Sequence, residues 1–440
     1  MANYVKIAGF LGACVTTVAH LLTDLRKQPA LREEQGYGDL PDLPKPKPTL
    51  IPIMKIAHAV GWGPGQQPRP AAGFRVNTFT DSLDHPRWVY ELPNGDILVA
   101  ETAAPPSPAG IFSLRWWAMG FVLVRAGAGV KSANRITLLR DADGDGVAEI
   151  KVPFLEGLHS PFGMALVGDQ LYVANADALV RFPYEPGATR ITAAPVKVCD
   201  LPAGRNHHWT KSLVANKAGT KLYVGVGSNS NVAEFGLHEE VNRAAILEVD
   251  IASGAVRVFA SGLRNPVGMD WNPVTGELWT SVNERDEIGD DLVPDYMTSV
   301  KDGAFYGWPY CYWGRTVDER VKPPRPDLVA TALKPDYALG SHTASLGLTF
   351  VDDDRFGARF RNGVFIGQHG SWNRNPPSGY RVIFVPFADG KPAGQPEEIL
   401  GGFRVGDKAL GRPVGVLVDR RGGLLVVDDV GDCIWRVTPA

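Results

Sequence analysis

The sequence contains few cysteines and no large excess of charge of either sign. Its four cysteines, Cys14, Cys199, Cys311 and Cys433, form no CxxC pair, so we expect neither a thiolate zinc site nor a redox motif, and at most one or two disulfides. Lys and Arg total 45 against 48 Asp and Glu, which excludes a bulk affinity for nucleic acid. Hydrophobic residues make up 44% and charged residues 21%, which is typical of a packed globular protein and excludes a disordered or multi-span membrane protein.

Long apolar runs are also scarce, and the main one lies near the N-terminus at residues 7–22. It is short for a membrane-spanning helix, which needs about 17–25 residues. Basic residues flank it on both sides, so it predicts a signal or membrane-anchor segment over residues 1–24. A lipoprotein cleavage site before Cys14 and a buried N-terminal helix remain alternatives. Residues 25–75 are rich in proline and predict a semi-extended linker.

From residue 76 to residue 440, one pattern returns six times. Each copy has a polar residue near a proline or glycine, an alternating apolar strand, a glycine-containing turn and a second apolar strand. This alternation is typical of antiparallel hairpins, and repeats that cannot bury their faces alone indicate a propeller or solenoid. The sequence therefore predicts an all-β, six-bladed propeller over residues 76–440. The copies begin at His85, Ser160, His208, Arg264, Ala344 and Arg412.

The starting positions of these repeats predict a binding site. In a propeller the innermost strand of each blade begins at the rim of the central channel. Two arginines and up to three histidines, with His159 next to Ser160, would converge there. Any one of them could simply bind carbonyl groups between blades. Several like charges crowded into one channel are unfavourable, however, unless an anion binds there. Because a guanidinium matches a carboxylate or a phosphate, we expect a compact polyanion at the channel mouth.

His208 is the candidate general base. It follows His207, and neighbouring side chains on a strand point to opposite faces, so the repeat register selects His208 for the channel. A neutral imidazole that takes the proton of an alcohol accelerates a reaction by roughly 10²–10⁴-fold. Nearby arginines would keep this imidazole neutral by lowering its pKa.

Two further motifs indicate a family. The run from Gly262 to Pro266 with Gly268, and Phe305 to Pro309, resemble the soluble quinoprotein glucose dehydrogenases. Stretches beginning at His85, Val282, Gly367 and Gly411 are closer still to the L-sorbosone dehydrogenase-like proteins. The resemblance covers about residues 76–440. It implies a six-bladed propeller that binds pyrroloquinoline quinone, a tricarboxylic ortho-quinone, together with calcium, and that oxidises a sugar or a sugar aldehyde of the aldose or L-sorbosone type.

The resemblance also implies roles for individual residues. His208 matches the general base and a cofactor contact, and Arg264 the arginine beside the quinone oxygens. Asn265 matches a cofactor contact and Arg412 a carboxylate-binding arginine. Backbone carbonyls at Glu284 and Arg285 would bind calcium. His159, His369, Trp372 and Arg374 lie in the stretches where the family has its other cofactor contacts.

The sequence departs from the family in the last blade, and one motif lies outside the resemblance. The second carboxylate-binding arginine of the glucose enzymes is Val414 here. Residues 141–146, DADGDG, have the spacing of a calcium loop, but Val152 at position twelve excludes an EF-hand. A small calcium site and a polar hairpin turn both remain open for this loop.

We therefore expect a periplasm-facing dehydrogenase, membrane-anchored through residues 7–22 or secreted. No second redox domain is evident, so the electrons would pass to a cytochrome c or a quinone. Two alternatives are a calcium-dependent lactonase and a non-catalytic propeller that binds a carbohydrate or a protein, since the fold alone does not fix the function.

Overall fold

The computed structural model describes residues 31–48, 55–106 and 124–440. The predicted signal or anchor segment and Cys14 lie outside these residues. Cys199, Cys311 and Cys433 are free thiols. Within the described ranges no helix combines the length and the apolar character needed to cross a bilayer. The helical elements described are the short helix α1 (Pro326–Thr331) and 3-10 turns at Glu33–Gly36, Leu237–Glu240, Asp354–Phe356 and Ala358–Phe360.

The first four strands are short or join later sheets. They are β1 (Tyr37–Gly38), β2 (His58–Ala59), β3 (Arg69–Pro70) and β4 (Phe74–Thr80). The next strands form three antiparallel sheets in chain order. The first sheet is β5 (Pro86–Glu91), β6 (Ile97–Glu101), β7 (Arg135–Arg140) and β8 (Ile150–Leu155); the second is β9 (Met164–Val167), β10 (Gln170–Ala174), β11 (Ala178–Pro183) and β12 (Val196–Asp200); the third is β13 (Leu213–Ala215), β14 (Lys221–Val226), β15 (Ala245–Asp250) and β16 (Val256–Ser261).

Three more sheets follow, and each recruits one N-terminal strand. The fourth is β17 (Pro266–Trp271), β18 (Leu278–Val282), β19 (Pro294–Ser299) and β22 (Tyr337–Ser341), extended by β1, with the small ladder β20 (Cys311–Tyr312) and β21 (Thr316–Val317) inserted in the chain. The fifth is β23 (Ser345–Val351), β24 (Gly363–Gln368), β25 (Arg381–Ala388), β26 (Lys391–Pro392) and β27 (Glu397–Gly401), extended by β3. Strands β28 (Arg404–Val405) and β29 (Lys408–Ala409) form a separate ladder with β2. The sixth sheet is β30 (Pro413–Val418), β31 (Leu424–Asp428) and β32 (Cys433–Pro439), closed by β4.

The apolar core lies between successive sheets. Strand β10 shows the reason: Leu171 and Val173 belong to the cluster shared with the first sheet, whereas Tyr172 and Ala174 belong to the cluster shared with the third. Because successive side chains of a strand point to opposite faces, an unbroken apolar strand packs against a neighbour on both sides. Equivalent clusters join all the other neighbouring pairs, including the sixth and the first sheet.

The first strands of the six sheets surround one central channel. β5, β9, β13, β17, β23 and β30 contact one another in a closed cycle, and together they line a cavity of about 290 Å³. An apolar plug fills the channel near the start of these strands, and consists of Phe162, Val267, Leu346 and Val414 with Trp88 and Trp209 packed against them. The plug places a hydrophobic floor beneath the residues that precede the strands.

The all-β, propeller-type architecture predicted from the repeats is confirmed. The structure differs from the sequence interpretation over residues 25–75, because the described parts of this segment pair with the sheets. Tyr37 pairs with Leu339, His58 with Lys408 and Pro70 with Leu400. The prolines leave this segment extended, and its backbone is bound to the fourth and fifth sheets and to the β28–β29 ladder.

Candidate active site at the channel mouth

The residues that start the six repeats all precede a first strand. His85, Arg264, Ala344 and Arg412 lie one or two residues before β5, β17, β23 and β30, and Ser160 and His208 lie a few residues before β9 and β13. Four of these strands also begin with a register shift, at which a bulge re-aims the side chains. The repeat position therefore brings these residues to one end of the channel, above the apolar plug.

His208 is held in the tautomer that a general base requires. Its Nδ1 is 2.9 Å from the carbonyl oxygen of Ser228, and the Ser228 hydroxyl donates its own proton to the carbonyl of Ser230 at 2.6 Å. Nδ1 must therefore carry the hydrogen, which leaves the lone pair on Nε2. Burial lowers the pKa of His208 well below its ordinary value, and the charge of Arg264 lowers it further. The imidazole is consequently neutral at pH 7.

Arg264 is buried beside His208 and its donors are engaged. The guanidinium donates to the carbonyl of Glu284 at 2.6 Å, to the side chain of Asn231 at 3.0 Å and to Asp286 at 3.2 Å. The amide of Ser228 donates to the carbonyl of Arg264 at 2.8 Å, which links this residue to the loop that holds His208. Arg264 thus supplies a fixed positive charge next to His208.

Asp286 and His342 form an ion pair beside Arg264. The two nitrogens of His342 lie 3.1 Å from Oδ1 of Asp286 and 2.9 Å from the carbonyl of Gly289, so both face acceptors. Burial opposes the charge on each group, but their mutual hydrogen bond raises the pKa of His342, and together with Arg264 lowers the pKa of Asp286 to about 2. One carboxylate therefore faces two cations.

A small cradle lies next to His208. Asn265 is buried, and its Oδ1 accepts no hydrogen bond from the described residues. A Cβ at Gly227 would collide with Oδ1 of Asn265 and with Cβ of His208, so only glycine leaves both side chains in place. Arg243, also buried, donates to the carbonyl of Gly227 at 3.2 Å and adds a second positive charge near His208.

A second cluster lies at the junction of the last and first sheets. Asp429 pairs with Arg87 and accepts from Nε2 of His369 at 3.0 Å, while Nδ1 of His85 is 2.9 Å from the Asp429 carbonyl. Burial lowers the pKa of His369 to about 4, and the charges of Arg412 and Arg87 contribute. His369 is therefore neutral at pH 7.

Arg412 is the least compensated cation of this cluster. Its side chain is 2% exposed, and its polar contacts within the described chain are two long ones, at 3.4 Å, to the carbonyls of Gly370 and Ala57. The guanidinium also lies 4.9 Å from the ring centroid of Tyr380. A buried cation without a carboxylate is unfavourable unless an anion joins it, so the cluster is suited to an anionic ligand.

Three other residues singled out from the sequence contact other groups. His159 is exposed and its Nδ1 is 2.9 Å from Asp177. Trp372 is half-buried, and its carbonyl accepts from the amide of Lys55. Arg374 is buried but bonded to carbonyls of Asp290 and Pro376 and to the carboxylate of Asp291, so its donors hold loops together.

One of the two carbonyls predicted to bind calcium has another partner, and the side chain of the second residue is engaged elsewhere. The carbonyl of Glu284 accepts from Arg264, as described, and the Arg285 side chain is buried against Glu284, Asp318 and the carbonyl of Cys311. The metal-like cluster among the described residues lies elsewhere, on the hairpin between β7 and β8. It comprises Asp141, Asp143, Asp145 and Glu149, it is largely exposed, and Asp141 pairs with Arg421 at 2.6 Å. Among the described residues, no other group of three or more His, Cys, Asp or Glu side chains is spaced to hold a metal ion.

Arg87, Asp429 and His342 were not identified from the sequence. Arg87 lies two residues after His85 and His342 two before Ala344, so a wider window around each repeat start would have included them. Asp286 and Asp429 lie after second strands, and their partners come from distant parts of the chain.

Comparison with known proteins matches most of the chain to one family. The profile of the TrAA12-like family matches residues 68–320 and 329–440. An uncharacterized protein of Borreliella burgdorferi is 30% identical over 235 residues, which is 52% of this chain and 60% of that protein. A pyrroloquinoline quinone-dependent pyranose dehydrogenase of Coprinopsis cinerea is 25% identical over 262 residues, which is 50% of this chain but 35% of that enzyme. The matches therefore span about a third to three fifths of these relatives.

A solved structure extends the similarity to most of the fold. The holo form of the PQQ domain of the Coprinopsis cinerea pyranose dehydrogenase superposes with a TM-score of 0.67 and 20% identity, over 87% of this chain and all of that domain. The resemblance to the soluble quinoprotein sugar dehydrogenases that the sequence motifs indicated is confirmed by these matches.

Proposed function

The chain belongs to the TrAA12-like family, and from that premise we propose that it is a pyrroloquinoline quinone-dependent dehydrogenase of sugars or sugar aldehydes, of the aldose or L-sorbosone type. One observation carries the proposal: a neutral imidazole, His208, lies at a channel mouth where buried guanidinium groups outnumber their carboxylate partners. A base and an electropositive pocket are what a tricarboxylic quinone and an alcohol substrate need. The named activities of relatives support the same reaction class.

The residues present fit the quinone. Arg412 has no carboxylate partner in the described chain, and the buried Oδ1 of Asn265 lacks a donor. Gly227 keeps the space beside Asn265 and His208 open. The apolar plug with Trp88, Phe162 and Trp209 gives the planar rings of a cofactor an aromatic floor. His369 and Arg412 would approach its carboxylates, and Asn265 its polar edge.

The chain then contributes the proton chemistry. When bound, the quinone accepts the hydride that leaves the sugar carbon. Nε2 of His208 takes the proton of the hydroxyl on that carbon, so that the carbon–oxygen bond becomes a carbonyl. An aldehyde substrate would react as its hydrate, which supplies the same hydroxyl. Arg264 and Arg243 keep the imidazole neutral beforehand, and the charge of Arg264 stabilises negative charge that develops beside it.

The predicted calcium site does not fit the ion as these residues are arranged. Calcium requires six to eight oxygen ligands, but the carbonyl of Glu284 is 2.6 Å from a guanidinium nitrogen of Arg264. The carboxylate of Asp286 is likewise taken by Arg264, His342 and Asn373. A cation therefore already lies where the metal would approach, and no step is derived through calcium.

Three broader features belong to the same proposal. The closed ring of six sheets supports a six-bladed propeller. The protein would face the periplasm, either anchored through residues 7–22 or secreted. Its electrons would pass to a cytochrome c or a membrane quinone.

The proposal is tested by a dye-reduction assay of the purified protein with added quinone, across a panel of aldoses and L-sorbosone. We expect reduction of the dye that requires both the quinone and a sugar. Folded protein that binds the quinone but reduces no dye with any sugar would contradict catalysis. Lactone hydrolysis without quinone would favour the lactonase alternative.

A further inference from the structure

Two guanidinium groups at the junction of the last and first sheets have unused donors. The Nε atoms of Arg87 and Arg412 are both buried, and neither has a hydrogen-bond partner among the described residues. Arg87 pairs with Asp429 through Nη1, which leaves its Nε unused. Asp429 therefore pairs with Arg87, while Arg412 has no carboxylate partner among the described residues. Buried donors of this kind are costly unless a ligand accepts their hydrogen bonds.

The fold brings these two groups together. Arg412 immediately precedes β30, and Arg87 lies on β5, the first strand of the adjacent sheet. The backbones touch closely, since a Cβ at Gly415 would lie 3.1 Å from the carbonyl oxygen of Arg87. Both guanidinium groups also lie near His369, because Arg87 pairs with the carboxylate that accepts from His369, and Arg412 contacts the carbonyl of the next residue, Gly370.

A bulge explains why Arg87 leaves the plug. The register of β5 and β6 shifts between Pro86 and Trp88, so Arg87 is the extra residue. Its neighbour Trp88 packs against the plug, whereas Arg87 reaches Asp429 at the rim. The bulge therefore directs a guanidinium to the channel mouth from a strand that would otherwise supply apolar side chains.

The last sheet lacks the arginine expected two residues after Arg412. Val414 stands there, fully buried in the apolar plug. We propose that Arg87 supplies the missing guanidinium from the neighbouring sheet, so that Arg87 and Arg412 together bind one carboxylate of the tricarboxylic cofactor. Asp429 positions Arg87 for this contact and also accepts from His369. The inference rests on the proposed function and deepens it, because it assigns a cofactor contact to the first sheet.

Equilibrium binding of pyrroloquinoline quinone, measured by dialysis or tryptophan quenching, tests the inference without turnover. We expect Arg87→Gln to raise the Kd of the quinone by about 10- to 100-fold, the effect of one charge-assisted hydrogen bond. Arg87→Lys should weaken quinone binding less, because lysine keeps the positive charge although it lacks the planar, two-donor geometry of a guanidinium group. Phenanthrolinequinone, an ortho-quinone without carboxylates, should bind wild type and Arg87→Gln equally.

Arg436→Gln is the matched control. The Arg436 side chain is 11% exposed against 13% for Arg87, and it pairs with Asp419 on the last sheet away from the rim. Its Kd for the quinone should stay within about threefold of wild type. An unchanged Kd in Arg87→Gln, while wild type binds, overturns the carboxylate subsite alone. Failure of the wild-type protein to bind the quinone overturns both the subsite and the proposed function.

Discussion

At the scale of single residues, His208 carries the proposed chemistry, and an isosteric change isolates it. An asparagine side chain can still donate to the Ser228 carbonyl but has no basic nitrogen. We expect His208→Asn to lower kcat by about 10²–10⁴-fold, while the Kd of the quinone changes little. The neighbouring His207→Ala, at an exposed position, should retain activity. Equal turnover in His208→Asn and wild type would remove the assigned base.

The pH profile tests the same residue in the wild-type enzyme. The folded pKa of His208 is lowered well below 6.5, so the imidazole gains its proton only in more acidic solution. Activity limited by this base should therefore stay level as the pH falls through 6.5 and decline well below it. A decline of kcat/KM centred at pH 6.5 would show a base with an ordinary histidine pKa.

Lys211 is a second residue whose ionisation the fold opposes. Its side chain is fully buried, and Nζ donates to the carbonyl of Trp209 at 3.0 Å. Burial lowers its pKa well below 10.5, and Arg243 adds to the effect. Between this lowered pKa and the ordinary value of 10.5, the unfolded chain therefore binds a proton that the folded chain does not hold, so over that range this group makes stability rise with pH.

Lys211→Met should consequently increase the free energy of unfolding at pH 7 by about 1–2 kcal/mol. The gain should shrink as the pH rises through 10.5, since the lysine of the unfolded chain also becomes neutral above that pH. Chemical denaturation at several pH values measures it. Lys217→Met, at an exposed turn, should show no such pH dependence; a gain at Lys211 that is constant with pH would contradict the buried neutral amine.

The sequence identified part of this site for a physical reason. His208, Arg264 and Arg412 were predicted because strand starts at a propeller rim are set by the repeat register, which is local. Asp286 and Asp429 could not be predicted in the same way, since their roles come from His342, Asn373, Arg87 and His369, which only the closed ring brings near. The hydrogen bonds that engage the side chains of Arg264 and Arg374 likewise depend on tertiary structure, so the sequence pattern does not predict them.

At the scale of elements, the N-terminal segment holds two loops of the candidate site. Asp291 accepts from the amide of Leu31 at 3.0 Å, Ile288 accepts from the amide of Lys47 at 2.8 Å, and Arg374 bonds to both Asp290 and Asp291. Prolines made this segment look like a linker, because extended chain without periodic side chains carries no signal for what it packs against.

Arg374 is the residue through which this arrangement can be tested. We expect Arg374→Gln to destabilise the fold by about 2–4 kcal/mol, because it leaves buried acceptors without a donor. The Kd of the quinone should rise less than in Arg412→Gln, whose cation lacks a carboxylate partner in the described chain. Thermal unfolding and quinone binding measure the two effects. If Arg374→Gln raised the Kd of the quinone as much as Arg412→Gln and left the stability unchanged, Arg374 would instead be the direct cofactor contact that the resemblance implied.

At the scale of the whole molecule, closure of the ring depends on one strand from the other end of the chain. Strand β4 pairs with β32, with Val76 opposite Val437. It places Phe74 and Val76 in the core between the fifth and sixth sheets and Phe79 in the core between the sixth and first. The repeats predicted the sheets, but alternation within a strand does not tell which distant strand it will pair with.

This closure predicts that damage at β4 spreads around the ring. Phe79→Ala should lower the free energy of unfolding by about 3–5 kcal/mol, the usual effect of removing a buried phenylalanine side chain. Because every sheet packs on two neighbours, we expect global unfolding, so hydrogen exchange of β18 in the fourth sheet should accelerate together with that of β32. Val405→Ala, at an exposed position, should leave both unchanged. If β18 kept its protection while β32 lost it, the sheets would unfold one by one, and the channel mouth would not be a single rigid frame for the residues that six strands bring to it.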